Sequence, residues 1–300
     1  MLAHNALTLL DPTLRAHSLL TLSRPRIAAQ LPRLADALRK QLEGGGFVGA
    51  QLALRFGKTR PGGEGTDWSA DGAASPPPLD MCIGNVRGNE PMQFGHLANW
   101  MSTTKPLAAI AIAQLEEKGL LHVDDPVARH LPRFGQMGKG AVTIRHLLTH
   151  TAGVPYADIE CWGSLYRWDL IVRTICDAPL ADGWVPGKRC GYHTYSAWFI
   201  LGELVKVVSG LPYERYVQDR IFGPLGLRCC HVGMTEGQFH AYMRSGRLCE
   251  LVTYSKKKER GKEDRVGARL HTHTPLRAWH LHSPLHSLWS FTRAWVPRFT

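Results

Sequence analysis

The spacing of hydrophobic residues indicates both a helix and strands near the start of the chain. An amphipathic helix is indicated by leucines at every fourth position, Leu34, Leu38 and Leu42. Glycines at 44–46 end it, and partial apolar alternation over 48–56 then predicts a strand. Residues 57–78 are rich in Gly, Pro and Ser and predict a loop, after which a second short strand is expected near 80–83.

Residues 102–223 carry a repeated helical pattern. Five segments combine helical spacing of apolar residues with a following Gly or Pro signal: 102–118, 142–150, 168–178, 197–209 and 213–221. A strand-bearing start followed by a helical block indicates an α+β fold. A further helix is expected within 234–248, whereas the charge run at 256–265 and the His- and Pro-rich stretch 271–289 show no pattern of a packed element.

The composition is typical of a globular protein. Of the 300 residues, 44% are hydrophobic and 20% are charged. No apolar run reaches the roughly 18 residues of a membrane-spanning helix, so no transmembrane segment is expected. We divide the chain into an N-terminal extension at 1–33, a core domain at 34–235 and a divergent, basic, His-rich tail at 236–300, for which disorder is one interpretation.

The positive charge is concentrated in the tail. The formal net charge is +11. Residues 255–300 hold ten Lys or Arg against three Asp or Glu, so they supply +7 of it. A solvated basic tail explains this distribution better than a nucleic-acid surface, and no nucleic-acid partner is expected. An anion-binding segment is the alternative.

The cysteines do not indicate a disulfide framework or a metal site. There are seven, an odd number with no C-x-x-C pair, so reduced thiols are expected. No Cys and His set has the spacing of zinc ligands, and we predict neither a metal nor a cofactor. The first 34 residues have no apolar core of a secretory signal, and their arginines resemble a transit peptide only weakly. The compartment stays open.

Ser102 and Lys105 are the candidate nucleophile and base. Their i, i+3 spacing on a helix places both side chains on one face, about 6 Å apart at Cβ. A serine hydroxyl needs a base to remove its proton, and a lysine acts as that base only when its amine is neutral. Burial and the positive end of a helix both disfavour the ammonium form. A S-x-x-K pattern alone has low specificity.

The sequence that follows Ser102 contains three segments with recognisable motifs. Leu-Leu-His-Val-Asp-Asp-Pro-Val stands at 120–127, Thr-Ile-Arg-His-Leu-Leu-Thr-His-Thr-Ala-Gly at 143–153, and Phe-Gly-Pro-Leu-Gly-Leu at 222–227. These resemble the G-x-L-x-L-D-D-P-V, T-I-R-H-L-L-T-H-T-S-G and F-x-P-L-G-M segments of the β-lactamase-related family, which includes class C β-lactamases, serine esterases and penicillin-binding proteins. The resemblance covers residues 34–235 and implies a β-lactamase/transpeptidase-like fold. We expect an antiparallel sheet with flanking helices, a helical subdomain and an incomplete sheet.

The resemblance also assigns a third residue to the site. Tyr192 follows Pro-Gly at 186–187, as in the family's second element, and is implied to be the second proton-transfer group. The segment Tyr-His-Thr replaces the Tyr-x-Asn of many members and resembles esterase-like relatives. His146 and His150 are four residues apart, but no third ligand accompanies them, so a structural role is expected for both.

The family's third element, Lys- or His-x-Gly on a late strand, has no credible copy. Residues 231–233 read His-Val-Gly but directly follow the Pro-Leu-Gly-Leu turn, too early to be that strand. The tail looks like unrelated sequence. We expect a serine hydrolase that cleaves a small-molecule ester, amide or lactam through an acyl-enzyme. The alternative is a catalytically impaired family member with a structural or interaction role. Self-association stays open.

Overall fold

The computed structural model describes residues 31–54, 58–59, 66–67, 79–154, 168–249, 252–259, 262–269 and 290–293. The predictions for residues 1–30, for the stretch 271–289 and for most of the loop at 57–78 fall outside these residues. The described residues form two compact units. The first unit includes the described residues within 31–98 and 242–269, and residue 293. The second unit includes the described residues within Asn99–Ala241 and 290–292.

The first unit begins with a helix packed on an antiparallel sheet. Helix α1 (Pro32–Glu43) starts on a proline, whose fixed φ suits a first helical position. The strands that follow are β1 (Gly49–Leu54), β2 (Lys58–Thr59), β3 (Thr66–Asp67), β4 (Leu79–Arg87) and β5 (Glu90–Pro91). β4 lies between β1 and β5, and β2 pairs with β3. Leu38 and Leu42 of α1 pack against Met81 and Ile83 of β4, which are almost fully buried.

Two of the sequence predictions for this unit need correction. The stretch 57–78 was predicted as a loop, but it contains β2 and β3, which are only two residues long and carry too short a pattern to be recognised. The second strand was expected near 80–83, yet β4 continues to Arg87 because its far end pairs with β5 across a bulge. Helix α1 and the strands β1 and β4 follow one another in the predicted order, with the two short strands inside the predicted loop.

The second unit is mainly helical. Its nucleophile segment is a 3₁₀ turn (Met101–Thr104) that leads into α2 (Lys105–Glu117). The further helices are α3 (Val127–His130), a 3₁₀ turn (Pro132–Gly135), α4 (Ile144–Leu148), α5 (Trp168–Asp177), α6 (Ser196–Ser209), α7 (Tyr213–Val217) with a π-helical turn (Gln218–Phe222), and α8 (Glu236–Arg244), whose last residues belong to the first unit. Strand β6 (Leu97–Asn99), whose first two residues belong to the first unit, precedes the first turn.

Helix α6 forms the centre of this unit. Its sequence is apolar on nearly all sides, which is typical of a helix buried all round, and Phe199, Ile200, Leu201 and Leu204 are at most 1% exposed. α2, α5 and α7 all pack against it. Within the described chain, no helix combines the length and apolarity needed to cross a bilayer.

Two helix boundaries differ from the prediction. A helix from residue 102 was expected, but the α-helix begins at Lys105 and Ser102 lies in the preceding 3₁₀ turn, where the N–H of Thr103 bonds to the carbonyl of Trp100 at 3.0 Å. The helix predicted at 213–221 changes to a π-helical turn after Val217. Apolar spacing does not distinguish these turns from an α-helix over so few residues.

Among the described residues, one strand just before the tail and three strands within it were not predicted from the sequence. β7 (His231–Val232), β8 (Val252–Glu259), β9 (Lys262–Arg269) and β10 (Ser290–Arg293) complete the element order. β8 and β9 form an antiparallel hairpin across the predicted charge run, with Lys257 opposite Asp264 and Lys258 opposite Glu263. β7 pairs with β10, which places Ser290 opposite Val232.

Charged groups hold the turn that precedes α3, which we call the acidic turn and define by Asp124 and Asp125. Asp125 pairs with His130 Nε2 at 2.9 Å and accepts hydrogen bonds from the backbone N–H of His122 at 3.0 Å and from Arg129 Nη1 at 2.7 Å. Together these bonds lower the pKa of Asp125 to about 2, and the bond with His130 contributes most. Burial acts in the opposite direction, since it raises the pKa of a carboxyl group.

A capping interaction starts α4, which follows the acidic turn. Thr143 Oγ1 accepts the N–H of His146 at 3.3 Å, and His146 Nδ1 accepts the N–H of Thr143 at 3.2 Å. Two donors at the helix start are thereby satisfied. Arg145 in the first turn forms a two-point ion pair with Asp124, at 2.5 and 2.9 Å. His146 therefore has a structural role in the helix cap.

Lys139 is a buried cation in this unit. Its side chain is 0% exposed, its Nζ donates a hydrogen bond to the carbonyl of Ala178, and it lies 5.6 Å from the ring centre of Phe134. Burial lowers the pKa of Lys139. The bond joins the loop before α4 to the residue that follows α5.

Candidate active site

The 3₁₀ turn at the start of α2 presents Ser102. Met101, which precedes it, has a φ of 49° in the left-handed region, and its N–H donates to Asn99 Oδ1 at 2.8 Å. Thr104 Oγ1 donates to the carbonyl of Met101 at 2.8 Å. Residues i and i+3 eclipse one another in a 3₁₀ turn, so the side chain of Lys105 lies over that of Ser102.

The structure brings the three sequence-predicted residues together. Lys105 Nζ lies 3.1 Å from Ser102 Oγ, and Tyr192 OH donates to the same oxygen at 2.8 Å. Ser102 is exposed, Lys105 is half-buried, and Tyr192 is 52% exposed. A small molecule can therefore reach the serine oxygen, and two groups able to move a proton already contact it.

Two aromatic rings surround the Lys105 ammonium group. Its Nζ lies 5.1 Å from the ring centre of Tyr192 and 5.4 Å from that of Trp198. A cation over an aromatic face is attracted by the ring quadrupole. Trp198 Nε1 donates to the carbonyl of His193 at 3.1 Å, which fixes the indole. Trp198 was not predicted from the sequence, where its only signal is an aromatic residue on the helix that follows Tyr192.

The surroundings of Tyr192 lower the pKa of its phenol. Burial alone would raise the pKa of Tyr192, but the hydrogen bonds with Ser102 and Lys105 and the positive charge of Lys105 outweigh it. The resulting pKa lies below the ordinary tyrosine value of 10.0. The phenol is thus a better proton donor in this site than in water.

His150 supports Tyr192 from one side. Their ring centroids are 4.8 Å apart, and His150 Nδ1 accepts the backbone N–H of His193 at 3.0 Å. Burial, assisted by the charge of Lys105, lowers the pKa of His150. We call His150 and His193 together the histidine clamp.

The buried ring of His193 joins the segment 191–193 to the segment 150–154. Nε2 accepts the N–H groups of Gly153 at 3.2 Å and Val154 at 3.0 Å, so its proton is on Nδ1, which donates to the carbonyl of Gly191 at 2.5 Å. Burial lowers the pKa of His193, although the Gly191 carbonyl opposes this effect. The sequence analysis gave His193 no role, although it directly follows Tyr192.

Trp184 packs against the same two segments. Its Nε1 donates to the carbonyl of Thr151 at 3.1 Å. Gly153 has a φ of +89°, and a Cβ there would stand 2.4 Å from Trp184 Cδ1. Only glycine allows both this backbone conformation and this approach. In the described residues, no group of three His, Cys, Asp or Glu side chains is arranged to hold a metal ion.

Comparisons with known proteins identify relatives of this chain. Two curated relatives are esterase EstB of Burkholderia gladioli, 35% identical over 166 residues that cover 49% of this chain and 41% of the esterase, and a putative D-alanyl-D-alanine carboxypeptidase of Escherichia coli strain K12, 34% identical over 161 residues that cover 48% of this chain and 36% of that protein. The matches thus span less than half of the length of either relative.

The fold has solved counterparts. A penicillin-binding protein homologue from Caulobacter crescentus superposes with a TM-score of 0.61 at 22% identity, over 86% of this chain and 64% of that one. This likeness confirms the predicted β-lactamase/transpeptidase-like α+β fold. The model of the family described as Beta-lactamase matches residues 36–256, close to the range over which the resemblance was drawn. The chain belongs to the β-lactamase family.

Proposed function

We propose that this chain is a serine hydrolase that acts through an acyl-enzyme, with Ser102 as nucleophile, Lys105 as base and Tyr192 as proton donor. One observation carries the proposal: Ser102 Oγ contacts both Lys105 Nζ at 3.1 Å and Tyr192 OH at 2.8 Å. A nucleophile within hydrogen-bond reach of a base and of a proton donor is the arrangement that acyl transfer needs.

In the proposed acylation step, Lys105 acts after its ammonium group has given up a proton to solvent: the free amine accepts the hydroxyl proton while Ser102 Oγ attacks the carbonyl carbon of the substrate. The bond to the leaving group breaks when the tetrahedral intermediate collapses. Tyr192 protonates the leaving oxygen or nitrogen, and the proton on Lys105 then returns to the phenolate. The lowered pKa of Tyr192 supports this role because it eases loss of the phenolic proton.

Negative charge on the attacked carbonyl oxygen needs donors. Backbone N–H groups at a helix start lack partners within the helix, and Ser102 occupies such a position. We assign the N–H of Ser102 as one oxyanion donor. Water then attacks the acyl group, Tyr192 or Lys105 takes its proton, and Ser102 leaves protonated.

The substrate class we propose is a small molecule with an ester, amide or lactam carbonyl. The names of the relatives support this range, since one is an esterase and another a putative D-alanyl-D-alanine carboxypeptidase. The exposed position of Ser102 and Tyr192 agrees with a substrate that approaches from solvent.

Active-site labelling tests the proposal. The full chain is incubated with a fluorescent fluorophosphonate and, separately, with a fluorescent penicillin, and hydrolysis of p-nitrophenyl esters is followed. We expect covalent labelling of Ser102 and ester turnover. S102A should lose both, with kcat reduced at least ~10³-fold, on the order of losses for catalytic serines elsewhere. Y192F should lower kcat by about 10²-fold or more.

The matched control is S245A. Ser245 is exposed, lies outside the helical unit, and donates only to the carbonyl of Tyr242, so labelling should be unchanged. A cooperative thermal melt verifies folding of each variant. If the folded wild-type chain reacts with neither probe and turns over no ester, the proposal is wrong and the non-catalytic alternative holds. Labelling that persists in S102A overturns the choice of nucleophile.

A further inference from the structure

We propose that His150 is a positioning residue for Tyr192: its Nδ1 anchors the backbone immediately after the tyrosine, and its ring supports the phenol against Ser102. The inference rests on the proposed function, because it concerns the placement of the proposed proton donor. Nothing in the chemistry assigned above requires His150 to exchange a proton with substrate.

The backbone anchor is the first observation. Tyr192 lies between two attachments to His150: the N–H of Gly191 donates to the carbonyl of His150 at 3.0 Å, and the N–H of His193 donates to its Nδ1 at 3.0 Å. The residues on both sides of the tyrosine are thus bound to a single residue of the opposite segment. Loss of one bond frees the backbone at the point from which the phenol projects.

The ring contact is the second observation. The imidazole lies 4.8 Å from the Tyr192 ring at 40° and 5.5 Å from the Trp198 ring at 61°. Tyr192 is 52% exposed, so half of its surface has no protein support. His150 therefore supplies part of the limited packing that keeps an exposed phenol over Ser102.

The charge state of the clamp fits a positioning role. Nδ1 of His150 accepts an N–H, which leaves the ring neutral with its proton on Nε2. An imidazolium would direct an N–H toward the N–H of His193 and would add a positive charge beside Lys105. Because the anchor requires the neutral ring, His150 is suited to hold Tyr192 rather than to act as an acid.

The backbone of His150 makes clean substitutions available. Its φ of 59° lies in the left-handed region, which Gly adopts without strain and Asn tolerates better than most residues. H150G removes both the anchor and the ring support. H150N retains an oxygen near the position of Nδ1, and it can therefore accept the N–H of His193.

Kinetics provide the first test. We expect H150G to lower kcat on p-nitrophenyl esters by about 10²-fold, the upper range seen when a supporting group of an active site is removed, with KM changed less than about threefold. H150N should recover most of the loss, and added imidazole should restore H150G but not Y192F.

The matched control is H146A, which removes another imidazole whose Nδ1 accepts a backbone N–H in the same block, that of Thr143. It should lower the melting temperature and leave kcat within about twofold. The inference is overturned if H150G and H146A have the same kcat, if H150N is as impaired as H150G, or if the loss in H150G lies in KM alone.

A spectroscopic titration separates this inference from the proposed function. The ionisation of Tyr192 is followed as ultraviolet difference absorbance of each protein against its Y192F counterpart, which needs no substrate. In H150G the pKa of Tyr192 should rise toward that of free tyrosine, because the phenol leaves Lys105. An inert wild-type chain that shows this shift would refute only the hydrolase proposal. An unchanged titration in H150G refutes the positioning role.

Discussion

The two ends of the segment from the acidic turn to Gly153 are stabilised in different ways. At the first end, the bonds join charged groups: Asp125 binds Arg129 and Asp124 binds Arg145. At the second end, the histidine clamp joins neutral imidazoles to backbone N–H and carbonyl groups. Charged pairs tolerate an exposed surface. The histidine clamp is neutral and therefore adds no charge next to Lys105. The proposed chemistry requires the interaction between Lys105 and Tyr192.

The largest effect is expected from a side chain at Gly153, which binds the histidine clamp through its N–H and packs closely against Trp184. In G153A the Cβ would stand 2.4 Å from Trp184, and the φ of +89° disfavours a side chain. Left-handed strain and overpacking together should lower the free energy of unfolding by about 3 kcal/mol. Urea denaturation measures the loss.

The control for this change is G183A. Gly183 has a φ of +65°, but a Cβ there would meet no atom within 4 Å. It should cost only the conformational part, about 1 kcal/mol. Equal losses in the two variants would show that the contact with Trp184 is not what requires glycine at 153.

The next effect is expected at the acidic turn. D125N cannot keep the ionic bond with Arg129 or the carboxylate hydrogen bond with His130, so the free energy of unfolding at pH 7 should fall by about 2 kcal/mol. The pKa of Asp125 is lowered to about 2, from an ordinary value of 3.8. Its stabilisation is therefore complete above pH 3.8 and is lost as the pH falls toward 2.

The loss in D125N should shrink accordingly when denaturation is repeated at pH 2.5. D182N, at an exposed aspartate, serves as the control and should change stability by less than about 0.5 kcal/mol. A D125N loss that is the same at pH 7 and pH 2.5 would contradict the ionic origin of this end's stability.

A smaller effect is expected from the cap between the two ends. T143A removes the oxygen that accepts the N–H of His146 and should cost about 1 kcal/mol, whereas T143S keeps the oxygen and should cost much less. Thermal melts compare them. Because the cap does not contact Ser102 or Tyr192, kcat should stay within about twofold, and a large loss of kcat in folded T143A would contradict this separation.

The smallest effect is expected in the pH dependence of the clamp. Burial lowers the pKa of His150 and His193 below the ordinary 6.5, so the unfolded chain binds protons that the folded chain does not. Stability is then complete above pH 6.5 and is lost as the pH falls through the folded-state values. H193Q should reduce the fall in stability between pH 7 and 6 by less than about 1 kcal/mol, whereas D182N should leave that slope unchanged.

Local patterns predicted a large part of this molecule. The leucine spacing and the glycines at 44–46 predicted α1 and its end at Glu43. The apolar runs predicted helices at 168–178 and 197–209, and α5 and α6 differ from these ranges by one residue each. Ser102, Lys105 and Tyr192 were named from sequence because each stands in a motif, and the structure brings them within hydrogen-bond distance.

What the sequence did not predict depends on contacts between distant segments. Trp198 and His193 contact the site only because α6 packs beside α2, and neither belongs to a motif with a chemical signature. The left-handed Met101 and the 3₁₀ turn after it follow from a side-chain bond to Asn99. The hairpin of β8 and β9 was missed because its residues are mostly charged and lack the alternation of a strand.

The burial of Lys139 makes it an internal reporter of unfolding. Amine-reactive acylating reagents modify exposed lysines such as Lys188 in the native chain, but they reach Lys139 only when its bond to Ala178 opens. Its rate of modification, read by mass spectrometry in a mixture or in cell extract, therefore measures how often the helical unit opens. Acylation of Lys139 therefore reports local unfolding of the chain without a dye or an engineered label.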